Sequence, residues 1–139
     1  MQVQAFTNFA VATITRYAGM GILWEIYNEA DLRAWTPAQY GALFISVGKA
    51  VRASPAIARE LLVGPSTSTV ACGYVQALKH MGALDHADAV SVHAYCSGAP
   101  EQMRWQFGAM RNIVGPSTAL LSGEWGWATC TANGTYASN

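Results

Sequence analysis

Residues Gly21–Glu29 read GILWEIYNE, and the polar exit from this apolar stretch decides between fold classes. Aromatic and branched residues from Ile22 to Tyr27 suit a packed, pleated surface, so a buried strand is expected over Ile22–Asn28. Asn28-Glu29 then places an amide and a carboxylate at its end. An acid in that position has either a structural partner or a chemical task. A second acid stands in the same setting, Glu124 in LLSGEWGW over Leu120–Trp127. Two carboxyl groups on two strand ends, with Trp24 and Trp125 as apolar neighbours, are the equipment for cleaving a glycosidic bond.

Working outward, Phe6, Phe9, Ala10, Thr13, Ile14 and Tyr17 recur at helical spacing, which predicts a helix over Ala5–Tyr17 closed by Gly19. Thr36-Pro37-Ala38-Gln39 is a helix start, with Thr as cap, Pro at the first position and Gln three residues on. That helix carries Tyr40, Leu43, Phe44, Val47 and Val51 as one stripe and stops near Ser54-Pro55. Leu61–Gly64 reads as a short strand running into polar Pro65–Ser68. A helix over Ala71–Met81 follows. In Ala89–Tyr95, Val90, Val92 and Ala94 share one face, while Ser91, His93 and Tyr95 share the other. A helix from Pro100 to about Ile113 and a strand from Leu120 to Trp127 complete the order.

Strict alternation of strands and helices implies a parallel sheet with helices packed outside it, in one domain over 1–139 with strands near 22–28, 61–66, 89–95 and 119–125. A doubly wound nucleotide-binding sheet lacks support, because neither GxGxxG nor GxxxxGK[ST] occurs after any strand. Asn28-Glu29, Ser66-Thr67, His93–Tyr95 and Glu124-Trp125 all fall at C-terminal strand ends, where a barrel builds its site. Asp85, His86 and Asp88 lie at the opposite end of the third strand and read as a polar loop. Glu25 shares strand parity with Glu29 and reads as structural support.

A formal net charge of zero and the lack of a basic cluster argue against nucleic acid or an anionic membrane as partner. No apolar run is long enough for a membrane span, and no signal-peptide pattern opens the chain. Five Trp and six Tyr are many for this length; they serve as core or as platforms for sugar rings. Cys72 reads as a buried free thiol, and Cys96 and Cys130 are candidates for a disulfide. The sequon Asn133-Gly134-Thr135 gives a slight lean towards secretion, with the compartment otherwise open.

WEIYNEA at Trp24–Ala30, AVSVHAYCSGAPE at Ala89–Glu101 and LLSGEWGW at Leu120–Trp127 resemble glycoside hydrolases of clan A, families 5 and 39 above all. The resemblance implies a partial (β/α)8 barrel from the third helix to just past the seventh strand. It implies a retaining hydrolase of β-linked polysaccharides or oligosaccharides that needs no metal or organic cofactor. Glu29 matches the acid/base, Glu124 the nucleophile and Asn28 the residue that binds the sugar 2-hydroxyl. Tyr95 matches the tyrosine bonded to the nucleophile, and His93 a sugar-contacting histidine. Trp125, Trp127 and Trp35 are carried as substrate-facing aromatics. Ala30 departs from the usual Pro. The strands that would supply a second-strand arginine and an eighth-strand tryptophan have no counterpart in these residues. An inactive barrel fragment or sugar-binding remnant, self-associating through open sheet edges, is the competing expectation.

Overall fold

The computed structural model describes residues 2–95 and 100–126. Four helices alternate with four strands: α1 (Val3–Arg16), β1 (Leu23–Glu25), α2 (Pro37–Ala53), β2 (Leu61–Thr67), α3 (Cys72–His80), β3 (Ala89–Ala94), α4 (Met103–Val114) and β4 (Ala119–Trp125). The strands form one curled parallel sheet in the order β1-β2-β3-β4, so every helical crossover joins neighbouring strands. No helix among the described residues is long and apolar enough to cross a membrane.

The convex face of the sheet is dry. Tyr40, Phe44, Val47 and Val51 project from one stripe of α2 and pack with Leu62, Val90, Val92 and Met110. Thr36 and Gln39 cap α2 reciprocally, as the sequence predicts: Gln39 N–H donates to Thr36 Oγ1, and Thr36 N–H donates to Gln39 Oε1. Burying Tyr40 requires a partner for its phenol, which donates to Ile26 O at 2.8 Å. Burial pushes that phenol far above its ordinary ionisation range, with Tyr74 and Glu25 adding to the effect, so it stays a donor. Gly64 in β2 is needed for this contact, because a Cβ there would overlap the Phe44 ring and the Tyr40 hydroxyl.

The first strand differs from its expectation. Regular pairing covers only Leu23–Glu25, at the edge of the sheet, and Leu23 is 53% exposed. The chain then turns through left-handed backbone at Tyr27 (φ 68°), whose ring packs at a tilt against Trp35 with 4.8 Å between centroids. Contact with β2 resumes irregularly: Ile26 N–H donates to Val63 O, Asn28 bridges Ser66, and Glu29 N–H donates to Ser66 O. Trp24 also turns away from the acids. It packs against the helix-side core, and its indole N–H donates to Glu60 Oε2 at 3.0 Å.

At the opposite end of the strands, Asp88 ties three elements. Its carboxylate accepts from Arg52 Nη2 at 2.6 Å and from Leu62 N–H at 2.7 Å, and its carbonyl accepts from Ala119 N–H. Asp88 thus joins α2, β2 and β4 through the start of β3. Asp88→Ala should leave the N–H of buried Leu62 unpaired and cost about 1–3 kcal/mol, read as a lower urea midpoint with unchanged slope.

Candidate functional site

The concave face is polar, and two local irregularities aim its side chains. Against β3, the register of β2 slips between Val63 and Ser66, and Ser66 presents its hydroxyl to Glu25 and His93. Against β4, Val92 pairs with Ser122 but His93 pairs with Glu124, so Gly123 is an extra residue. Such a bulge re-aims the next side chain, and here it brings Glu124 level with His93. A Cβ at 123 would overlap Ser91 Oγ and force that hydroxyl to move, so glycine is the residue that fits without rearrangement.

His93 is fully buried and sits at the centre. Its Nδ1 lies 2.9 Å from Glu29 Oε1 and 3.6 Å from Glu124 Oε2, and its Nε2 lies 3.0 Å from Ser66 Oγ. Ser66 Oγ donates to Glu25 Oε1 at 2.7 Å. Tyr95 donates its phenol proton to Glu124 Oε2 at 3.2 Å, and its ring meets that of His93 edge-on. The side chain of Glu29 is 15% exposed and that of Glu124 is 44% exposed. Ligand atoms from Glu29, His93 and Glu124 all lie within 4.8 Å of one another. A cation would reach all three only at the cost of the His93–Glu29 hydrogen bond.

Glu29 holds its place under backbone strain. Its φ of 50° is in the left-handed region, which a residue bearing a Cβ enters at a cost. Its N–H is fixed by Ser66 O and its C=O by Arg33 N–H. Two residues on, Asp31 accepts from the N–H and hydroxyl of Ser68, which pins this loop to the loop after β2.

Of the residues expected at the site, Glu29, His93, Tyr95 and Glu124 are brought together in direct contact. Asn28 is exposed beside them on its bridge to Ser66. Trp125 pairs with Ala94 at the end of β4 and is 64% exposed. Trp35 instead lines a separate groove near α1 and α2, with Arg33, Gln39 and Leu43. Trp127, Cys96, Cys130 and the sequon lie outside the described residues; Cys72 is a half-buried free thiol. Ser66, read at a strand end but given no role, and Glu25, read as structural support, are members of the hydrogen-bonded chain. Gly123 directly before Glu124 is the sequence signal for the bulge, since glycine inside a strand marks such irregularities.

No protein-family model, curated protein or solved structure matches this chain.

The Tyr95 phenol is held above its ordinary value of 10.0, first by desolvation, then by its hydrogen bond to Glu124 and the charges of Glu124 and Glu29. An anionic phenolate facing two carboxylates is disfavoured, so ionisation is delayed to higher pH. Glu124→Gln should move the Tyr95 transition back towards the ordinary value without reaching it, because desolvation remains. Phenolate absorbance against pH, taken as the difference from Tyr95→Phe, reads the shift.

Proposed function

We propose that this chain carries the catalytic core of a retaining glycoside hydrolase acting on β-linked polysaccharides or oligosaccharides, as part of a (β/α)8 barrel. The observation behind this reading is that one oxygen each of Glu29, just past β1, and Glu124, on β4, approach to within 4.8 Å. Retaining enzymes hold their two carboxyl groups about 5–5.5 Å apart, whereas inverting ones leave roughly 6.5–9.5 Å for a water.

In this mechanism Glu124, ionised, attacks the anomeric carbon while Glu29 gives its proton to the departing glycosidic oxygen. The C–O bond to the leaving group breaks as the C–O bond to Glu124 forms. Water then attacks the same carbon, giving its proton to Glu29 and releasing Glu124 as carboxylate. Tyr95 steadies the nucleophile through its hydroxyl. Asn28, exposed beside Glu29, is assigned the sugar 2-hydroxyl, and Trp125 and Trp127 are assigned stacking contacts with the substrate. Trp35, in its separate groove, is assigned to a more distant sugar unit. The reaction needs no metal or organic cofactor.

The open edges favour a second reading, in which the 139-residue chain binds sugar without turnover. Among the described residues β1 and β4 each have a single strand partner, and Glu124 is nearly half exposed, so water screens the chemistry.

Nitrophenyl β-glucosides, β-mannosides and β-xylosides assayed with a protein carrying this chain test both readings. Glu29→Gln should lower turnover of substrates with poor leaving groups by about 10²–10⁴-fold and spare release of good leaving groups in the first step. Glu124→Ala should abolish turnover of all of them. Equal rates in Glu124→Ala and the unaltered protein would remove Glu124 as nucleophile, and saturable binding with no turnover would favour the second reading.

A further inference from the structure

The hydrogen bonds on the concave face determine a proton count. Ser66 has one hydroxyl proton, and it points to Glu25 Oε1. The remaining contact of that oxygen, with His93 Nε2 at 3.0 Å, therefore has Ser66 as acceptor and the imidazole as donor. With Nε2 protonated, Nδ1 in neutral His93 is a bare lone pair, 2.9 Å from Glu29 Oε1. Two lone pairs cannot share that distance, so one proton lies between Nδ1 and Oε1. It resides on Glu29 as a carboxylic acid or on His93 as an imidazolium.

We infer that Glu25 and Ser66 are positioning residues which fix His93 as the Nε2–H tautomer and so hold one proton in the His93–Glu29 contact. His93 faces Glu29, Glu124 at 3.6 Å, Tyr95 edge-on and, through Ser66, Glu25. Glu25, Ser66 and Glu29 set the count, while Tyr95 donates to Glu124 and Glu124 lies farther from Nδ1 than Glu29 does. Were the tautomer reversed, Nδ1–H would donate to an ionised Glu29, and the pair would carry one proton fewer. The usefulness of that proton rests on the glycosidase reading, in which Glu29 must be an acid at rest. The tautomer stands on geometry alone, so spectra and turnover fail separately.

The test is the imidazole ¹⁵N spectrum of His93 in the full chain at neutral pH, assigned by its loss in His93→Gln. The expected result is a protonated Nε2. In Glu25→Ala, which alters an exposed side chain, Ser66 is freed to donate its proton to Nε2. The spectrum should then change to a bare Nε2 and a protonated Nδ1. Ser66→Ala, which removes the acceptor, should give the same change independently. A bare Nε2 in the unaltered chain would overturn the inference. So would a protonated Nε2 that persists in Glu25→Ala or in Ser66→Ala.

Discussion

The site depends on the curl of a four-stranded sheet. Three strand spacings of about 4.8 Å would separate β1 from β4 by roughly 14 Å if the sheet were flat. Yet Glu29, just past the end of β1, and Glu124, on β4, bring oxygens to within 4.8 Å. Curl and the length of two glutamate side chains together close that gap, with His93 of β3 reaching both. The helices maintain the curl from outside, since Tyr40 and Phe44 of α2 press on β2 at Gly64 with no room for a Cβ. At the far end Asp88 joins α2, β2 and β4, so the base of the strands is tied while the carboxylates meet at the top.

Curl alone does not aim the side chains. Along a regular strand the faces alternate, and a one-residue slip sends a side chain to the wrong face. Both Ser66 and Glu124 follow such a slip, one in β2 and one at Gly123 in β4. Each irregularity turns a polar group onto the concave face beside His93. The left-handed Glu29 adds a third local departure from regular geometry. Departures of this kind concentrate where a site over-determines the backbone, and here all three converge on one imidazole.

Much of this was legible in the sequence. The α2 capping box rests on local chemistry between Thr36 and Gln39. The stripe from Tyr40 to Val51 follows helical period, and the Ser91/His93 face of β3 follows strand alternation. A parallel sheet followed from alternating elements, and the two acids read at strand ends do meet His93. What failed was non-local. The strand at Ile22–Asn28 was expected to be buried, but regular pairing stops at Glu25, and the chain turns at Tyr27, whose ring packs on Trp35. Trp24 was expected near the acids, but its indole finds Glu60 on the other side. The role of Ser66 depends on a register slip between two strands, which no single stretch of sequence encodes. Ser66 therefore read as part of a polar strand exit, and its bonds to Glu25 and His93 emerged only from the pairing.

The proposed retaining mechanism needs two carboxylates close enough for one to attack the sugar directly. The stereochemistry of hydrolysis reports that distance, because a water held between the carboxyl groups inverts the anomeric centre and a covalent intermediate retains it. The measurement is the ¹H NMR spectrum of the first sugar released from an aryl β-glycoside, recorded before the product mutarotates. Retention at the proposed site gives the β-anomer first. Release of the α-anomer first would contradict it, whichever sugar the site accepts.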